Sequence, residues 1–219
     1  MNPQQVVRNI QDVMTRVIEA GLSDQQNYPA FKAVGEGRGE IYISGSPDLS
    51  FSLKDVPYPL IYDNLEKAKA YNIKMIDGSL IQMAYTFKDD IVESHRLALF
   101  PAPFLMPYES AVSAYESDQL YAEVVGRFSV KFPIRFDYAS SDDEHIDIDH
   151  PKSHLTLGQY EGCRIPVDGP LTPSRFMRFV LRNFYNPAYA RVDIDDLASL
   201  TSFPSTITDN ERTIAHLIG

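Results

Sequence analysis

From Arg127 to Tyr138 the sequence alternates without a break. Phe128, Val130, Phe132, Ile134, Phe136 and Tyr138 fall on one side, and Arg127, Ser129, Lys131, Pro133, Arg135 and Asp137 on the other. A period of two held over that length predicts a half-buried strand, because successive side chains point to opposite faces of a sheet. Pro133 has no N–H to give to a ladder, so the expectation is an edge strand or a bulge near its middle. Such a strand needs partners on one face and tolerates ionisable groups on the other.

The residues that follow extend this frame. Ser140 to Asp149 contains Asp142, Asp143, Glu144, Asp147 and Asp149, whose mutual repulsion favours a solvated loop. Next comes a predicted hairpin, His154 to Leu157 and Cys163 to Val167. Pairing Leu157 with Cys163 gathers Leu155, Leu157, Cys163 and Ile165 on one face and His154, Thr156 and Arg164 on the other; a shift of one residue would set Leu157 against Arg164. Gly158 and Gly162 suit the loop ends because glycine accepts a positive φ. Thr172-Pro173 then gives a hydroxyl N-cap followed by proline at the first helical position. The helix runs to Tyr185 with Phe176, Phe179, Val180 and Phe184 inward and Arg175, Arg178 and Arg182 on another face, and Asn186-Pro187 stops it.

The rest of the chain supplies the layers. Val6, Ile10, Val13, Met14, Val17 and Ile18 recur at helical spacing from about Pro3 to Gly21 and predict an amphipathic helix whose stripe packs on the sheet or on a partner chain, the sheet being favoured. Val34 to Glu40, VGEGRGE, has the glycines of a phosphate loop but stands before a strand-like run rather than between a strand and a helix, which reads as a plain turn. A short surface helix is expected over Pro57 to Tyr71, and three strands over Ile73 to Ile76, Leu80 to Phe87 and Ile91 to Phe100 form a meander. His95, alternating with leucines, reads as a packed or half-exposed strand residue rather than a catalytic group. One or two helices are expected within Glu109 to Val125 and a short one over Ile194 to Leu200. Thr208 and Glu211 have capping-box spacing ahead of a C-terminal helix.

These elements amount to an α+β fold, mainly antiparallel sheet with helices packed on one face and helices at the N- and C-terminal ends. The expected organisation is one domain over residues 1–219, with 187–219 a helical appendage. A hydrophobic content of 44%, rich in phenylalanine and tyrosine, is ample for a core. The net charge of −10 argues against broad binding to nucleic acid or to an anionic membrane and leaves room for a local basic face. A single cysteine makes no internal disulfide, and the N-terminal stretch carries polar residues too often for a signal peptide or membrane span. The expectation is a cytoplasmic protein without a membrane role.

Three constellations carry candidate chemistry. Asp147, Asp149, His150 and His154 are ligand types for a divalent metal, the one cofactor the sequence suggests. Residues four apart in an extended chain stand about 13 Å from each other, so the two histidines meet only if Pro151-Lys152 turns the backbone; the alternative is an acidic loop with a structural histidine. On the polar sheet face, Arg135, Asp137, His154, Thr156 and Arg164 collect, with Arg175 and the helix start at Thr172 expected nearby. Guanidinium groups and free helix N–H groups suit phosphate or carboxylate, and a salt-bridge network explains the same residues. Cys163 with His154 is disfavoured as a nucleophile and base, because the hairpin register turns the thiol inward.

The run HPKSHL at His150–Leu155, the later Arg164-Ile165-Pro166 and the helix ending in Phe184-Tyr185, preceded by IRFDY, resemble an uncharacterised bacterial family. The likeness spans Ile134 to Tyr185. It implies a bacterial origin and a place in phage-defence or toxin-type gene neighbourhoods, and supplies no reaction.

Two functional readings follow. In the first, the chain is an accessory or binding component that engages another protein, a phosphate-bearing ligand or nucleic acid through its local basic face. In the second it is a metal-dependent hydrolase or nuclease, with His154 as general base or ligand, Asp137 or Asp149 as metal ligand, and Arg164 or Arg175 steadying a phosphoryl group. No catalytic set has complete spacing, which favours the first.

Overall fold

The computed structural model describes residues 1–43, 56–103, 132–159, 162–199 and 202–219. The helices expected within Glu109 to Val125, and the portion of the alternating strand from Arg127 to Lys131, lie outside the described residues.

The meander forms as read. β4 (Ile73–Met75), β5 (Leu80–Lys88) and β6 (Ile91–Phe100) pair in sequence order, turning through Asp77-Gly78 and Asp89-Asp90. β7 (Ile134–Ala139) joins β6, β8 (Ser153–Leu157) joins β7, and β9 (Arg164–Pro166) joins β8. On the far side, β1 (Ser23–Gln26) pairs with β4, while the hairpin of β2 (Pro29–Gly35) and β3 (Arg38–Ile43) adds to β5 through β3. All the strand pairs are antiparallel. The glycine-rich VGEGRGE stretch is the β2–β3 turn, with Glu36 and the two flanking glycines at positive φ.

Two helices cover one face. α1 (Pro3–Glu19) is started by Asn2, whose side chain accepts from the Gln5 N–H while the Gln5 side chain returns a bond to the Asn2 N–H. Its stripe of Val6, Ile10, Val13, Met14 and Val17 is fully buried, each side chain worth ~1.5–3 kcal/mol of transfer free energy. α3 (Pro173–Phe184) has the predicted cap: Thr172 Oγ1 accepts from the Arg175 N–H. Phe176 and Phe179 both meet the Phe136 ring edge-on, which fixes α3 to the even-numbered face of β7. The core on this side includes Ile81, Met83 and Tyr85 from β5, Leu97 and Leu99 from β6, and Leu155 from β8.

The opposite face is divided. At one end α2 (Tyr58–Lys67) lays Ile61, Tyr62 and Leu65 over Leu80, Ala98 and Phe100, a second apolar cluster. Beyond that cluster the same face carries the ionisable residues of β6 to β9. The shift from apolar to polar along one face follows the sequence: even positions in β5 and β6 change from Leu80, Ala98 and Phe100 to Arg96 and Ser94.

Pro133 differs from expectation. β7 is internal, paired with β6 and β8, and begins at Ile134, one residue after the proline. The missing N–H therefore falls where no ladder bond is required, and the Pro133 carbonyl accepts from Gly158.

The C-terminal residues are laced to the sheet end. α4 (Asn186–Tyr189) and α5 (Asp195–Ser199) follow α3 closely, and the Ser174 hydroxyl donates to the Leu197 carbonyl. The Thr208–Glu211 capping box forms in both directions. It closes a single 3-10 turn, Glu211–Thr213, after which the chain extends and Leu217 bridges Val167. Glu211 is buried because it also faces His145, and that docking, rather than a longer helix, uses the cap.

Candidate functional site

The β8–β9 register decides which groups share the outer face. Leu155 stands opposite Ile165 and Thr156 opposite Arg164, which is the pairing read from the sequence. Gly158 takes the positive φ that the loop entrance needs, whereas Gly162 does not. On the other edge of β8, Thr156 stands opposite Arg135 and His154 opposite Asp137. Directly opposed residues of antiparallel strands point to the same side, so Arg135, Thr156 and Arg164 form one row and Arg96, Asp137 and His154 the next.

Charge in these rows is uneven. Asp137 Oδ1 accepts from Arg96 Nε at 2.8 Å, while its other oxygen is 4.0 Å from Arg135 Nε, too long for a hydrogen bond. Burial works against ionising Asp137, but the Arg96 and Arg135 charges and the Arg96 hydrogen bond outweigh it and hold the carboxyl below its ordinary range. Arg135 is the least settled member. Its Nε and Nη1 are shielded from solvent and have no hydrogen-bond partner among the described residues. Burial, and then the neighbouring Arg96 and Arg164 charges, lower its proton affinity against the pull of Asp137. Among the described residues Arg164 faces no carboxylate within ion-pair distance, whereas Arg135 has Asp137 at 4.0 Å.

His154 is held in one tautomer. Its Nδ1 lies 2.8 Å from the Pro151 carbonyl, which only accepts, so Nδ1 carries the proton and Nε2 keeps its lone pair. Pro151 turns the backbone enough that the His150 and His154 rings meet edge-to-face at 5.2 Å. Burial comes first in lowering the proton affinity of both; Arg164 adds to it for His150, and for both rings the charge of Asp137 opposes it.

The remaining candidates lie elsewhere. Arg175 and Thr172 belong to the face carrying α3, on the other side of the sheet from Arg135, because α3 packs against Phe136. Arg175 donates to the carbonyls of Ala198 and Gly219, and Thr172 is spent on the cap. The four expected metal ligands are divided. Asp147 accepts from Thr208 Oγ1 and Asn210 Nδ2, both at 2.5 Å, and Asp149 is exposed on the loop. Asp147 instead joins His145 and Glu211, whose ligand-type atoms all lie within 4.8 Å of one another. Cys163 is half-buried rather than part of the core.

Two residues had no sequence signal. Arg96 enters the site only through the β6–β7 register, across a gap of 41 positions. His145 meets Glu211 across 66. No local pattern specifies either pairing.

Among the described residues no helix is long and apolar enough to cross a membrane. No curated protein and no solved structure matches the chain. A family model described as "Uncharacterized conserved protein (DUF2290)" matches residues 22–218, from the end of α1 through the C-terminal bridge, and the chain belongs to that family.

Proposed function

We propose that this protein is a binding component that takes a phosphate-bearing ligand on the row formed by Arg135, Thr156 and Arg164. The observation that supports it most is Arg135, a shielded guanidinium with two donor nitrogens lacking acceptors among the described residues. A buried donor without an acceptor costs about 1–3 kcal/mol, more when charged, and an oxyanion relieves that cost with charge-assisted bonds. The Thr156 hydroxyl lies between the two arginines, each strand step being about 4.8 Å, so both long side chains reach a group held above it. Isothermal titration with inorganic phosphate tests the reading: heat that is lost in both Arg135→Gln and Arg164→Gln supports it, and equal heat from all three proteins contradicts it.

As part of the same proposal, the protein works beside another protein in the cytoplasm of a bacterium, within a phage-defence or toxin-type system. Stable co-purification of one companion encoded by a flanking gene supports this, and isolation without any companion argues against it.

A second reading, metal-dependent hydrolysis of a phosphate ester, draws on the convergence of His145, Asp147 and Glu211 and on the open Nε2 of His154. Metal analysis of the purified protein distinguishes the two: a stoichiometric divalent ion that is lost in Glu211→Gln favours hydrolysis.

A further inference from the structure

Resting on the anion reading of the Arg135–Thr156–Arg164 row, we infer that the ligand group is a terminal phosphate monoester, not the diester backbone of a nucleic acid and not a carboxylate. The grounds are the number of donors and the balance of charge.

The register sets three donor-bearing residues side by side in the row: two guanidinium groups and one hydroxyl. Thr156 is a buried residue whose hydroxyl has no hydrogen bond among the described residues, which leaves it available to a group sitting between the arginines. A monoester presents three terminal oxygens, one for each donor. A diester and a carboxylate present two.

Charge leads to the same class. Asp137 is hydrogen-bonded to Arg96 at 2.8 Å and stands 4.0 Å from Arg135, beyond hydrogen-bond length. Arg135 and Arg164 then remain as two cations without a bonded carboxylate among the described residues, in a chain whose net charge is −10. Two cations that no carboxylate among the described residues hydrogen-bonds, one shielded and one half-buried, are best matched by a partner of charge near minus two. A phosphate monoester carries about −1.5 to −2 at neutral pH. A diester phosphate and a carboxylate carry one negative charge each and would leave a guanidinium uncompensated. A ligand that tracks a nucleic-acid backbone would also need a run of basic groups. The loop joining β7 to β8, with Asp142, Asp143 and Glu144 exposed, works against such a track at that end of the strands.

The test compares four small anions by isothermal titration at one neutral pH: methyl phosphate, sulfate, dimethyl phosphate and acetate. Methyl phosphate and sulfate, both close to two charges, are expected to bind at least about tenfold tighter than the other two, the worth of one charge-assisted hydrogen bond. In Arg164→Gln that margin should shrink as overall affinity falls. Dimethyl phosphate binding within about threefold of methyl phosphate would overturn the monoester assignment and leave the anion reading standing. Absence of binding by all four would overturn both.

Discussion

Arg135 and Arg164 stand on either side of Thr156, on strands two apart, and neither makes a hydrogen bond to a carboxylate among the described residues. Asp137, 4.0 Å from Arg135, is hydrogen-bonded to Arg96. Among the described residues the salt bridges on this face therefore leave the Arg135 and Arg164 guanidinium groups without a hydrogen-bonded acid.

Asp137→Asn keeps the shape and removes the carboxylate that pairs with Arg96 and Arg135. Breaking a buried ion pair by neutralising one partner costs about 3–5 kcal/mol; with Asp137 still 18% exposed, a loss near the lower end is expected in urea unfolding. Because its folded pKa is depressed, the stability Asp137 contributes is present above the unfolded value of about 3.9 and is lost as pH falls below it. The variant should show less acid sensitivity below that pH than the parent.

His95 is the second charge-sensitive group, and it lies on the core face. Its ring packs between Tyr85 and Tyr138, its Nε2 accepts from the Leu171 N–H, and burial pushes its pKa down to about 4. Unfolded, the same imidazole titrates near 6.5, so between about 6.5 and about 4 the unfolded state binds a proton that the folded state refuses. Stability supplied by neutral His95 is present above that window and is lost through it as pH falls, up to about 3 kcal/mol. Denaturant midpoints taken across the window should fall steeply. In His95→Leu the slope should flatten, while at neutral pH the variant loses about 1–3 kcal/mol because the Leu171 N–H is left without an acceptor.

The start of α3 is fastened from two directions, by Thr172 within its own segment and by Asn9 of α1, whose Oδ1 accepts from the Ser174 N–H at 3.0 Å. Thr172→Ala should cost about 1 kcal/mol, as for other hydroxyl caps. Asn9→Ala strands a buried N–H and should cost about 1–3 kcal/mol. If the two bonds act as one fastening, the double variant loses less than the sum, which a double-mutant cycle on thermal unfolding reads directly.

How far the sequence was legible depended on the distance over which each pairing acts. The β8–β9 register was readable because Leu155, Leu157 and Ile165 favour one alignment and Gly158 marks the loop. The α3 start was readable because Thr172-Pro173 is a local signal. Arg175 was misplaced because its helical position says nothing of which sheet face receives the helix; Phe136 and Phe176 settle that. The metal-ligand set divided because Asp147 is claimed by Thr208 and Asn210, far along the chain. Pro133 was read as an edge signal when it marks the residue before a central strand. Arg96 was invisible for the reason that the pairing of β6 with β7 follows from the assembled sheet, not from any segment of it.

The most direct test of the anion site is the thermal stability of Arg135→Met against the parent, each with and without millimolar phosphate. A guanidinium with two shielded nitrogens that lack acceptors among the described residues is a cost to the unliganded protein, so the apolar replacement, similar in length, should unfold at the same or a higher temperature without phosphate. With phosphate only the parent should gain stability, by mass action on the folded state. A variant that is much less stable without phosphate, or that gains as much as the parent with it, would show that Arg135 is a structural residue and that the row holds no anion.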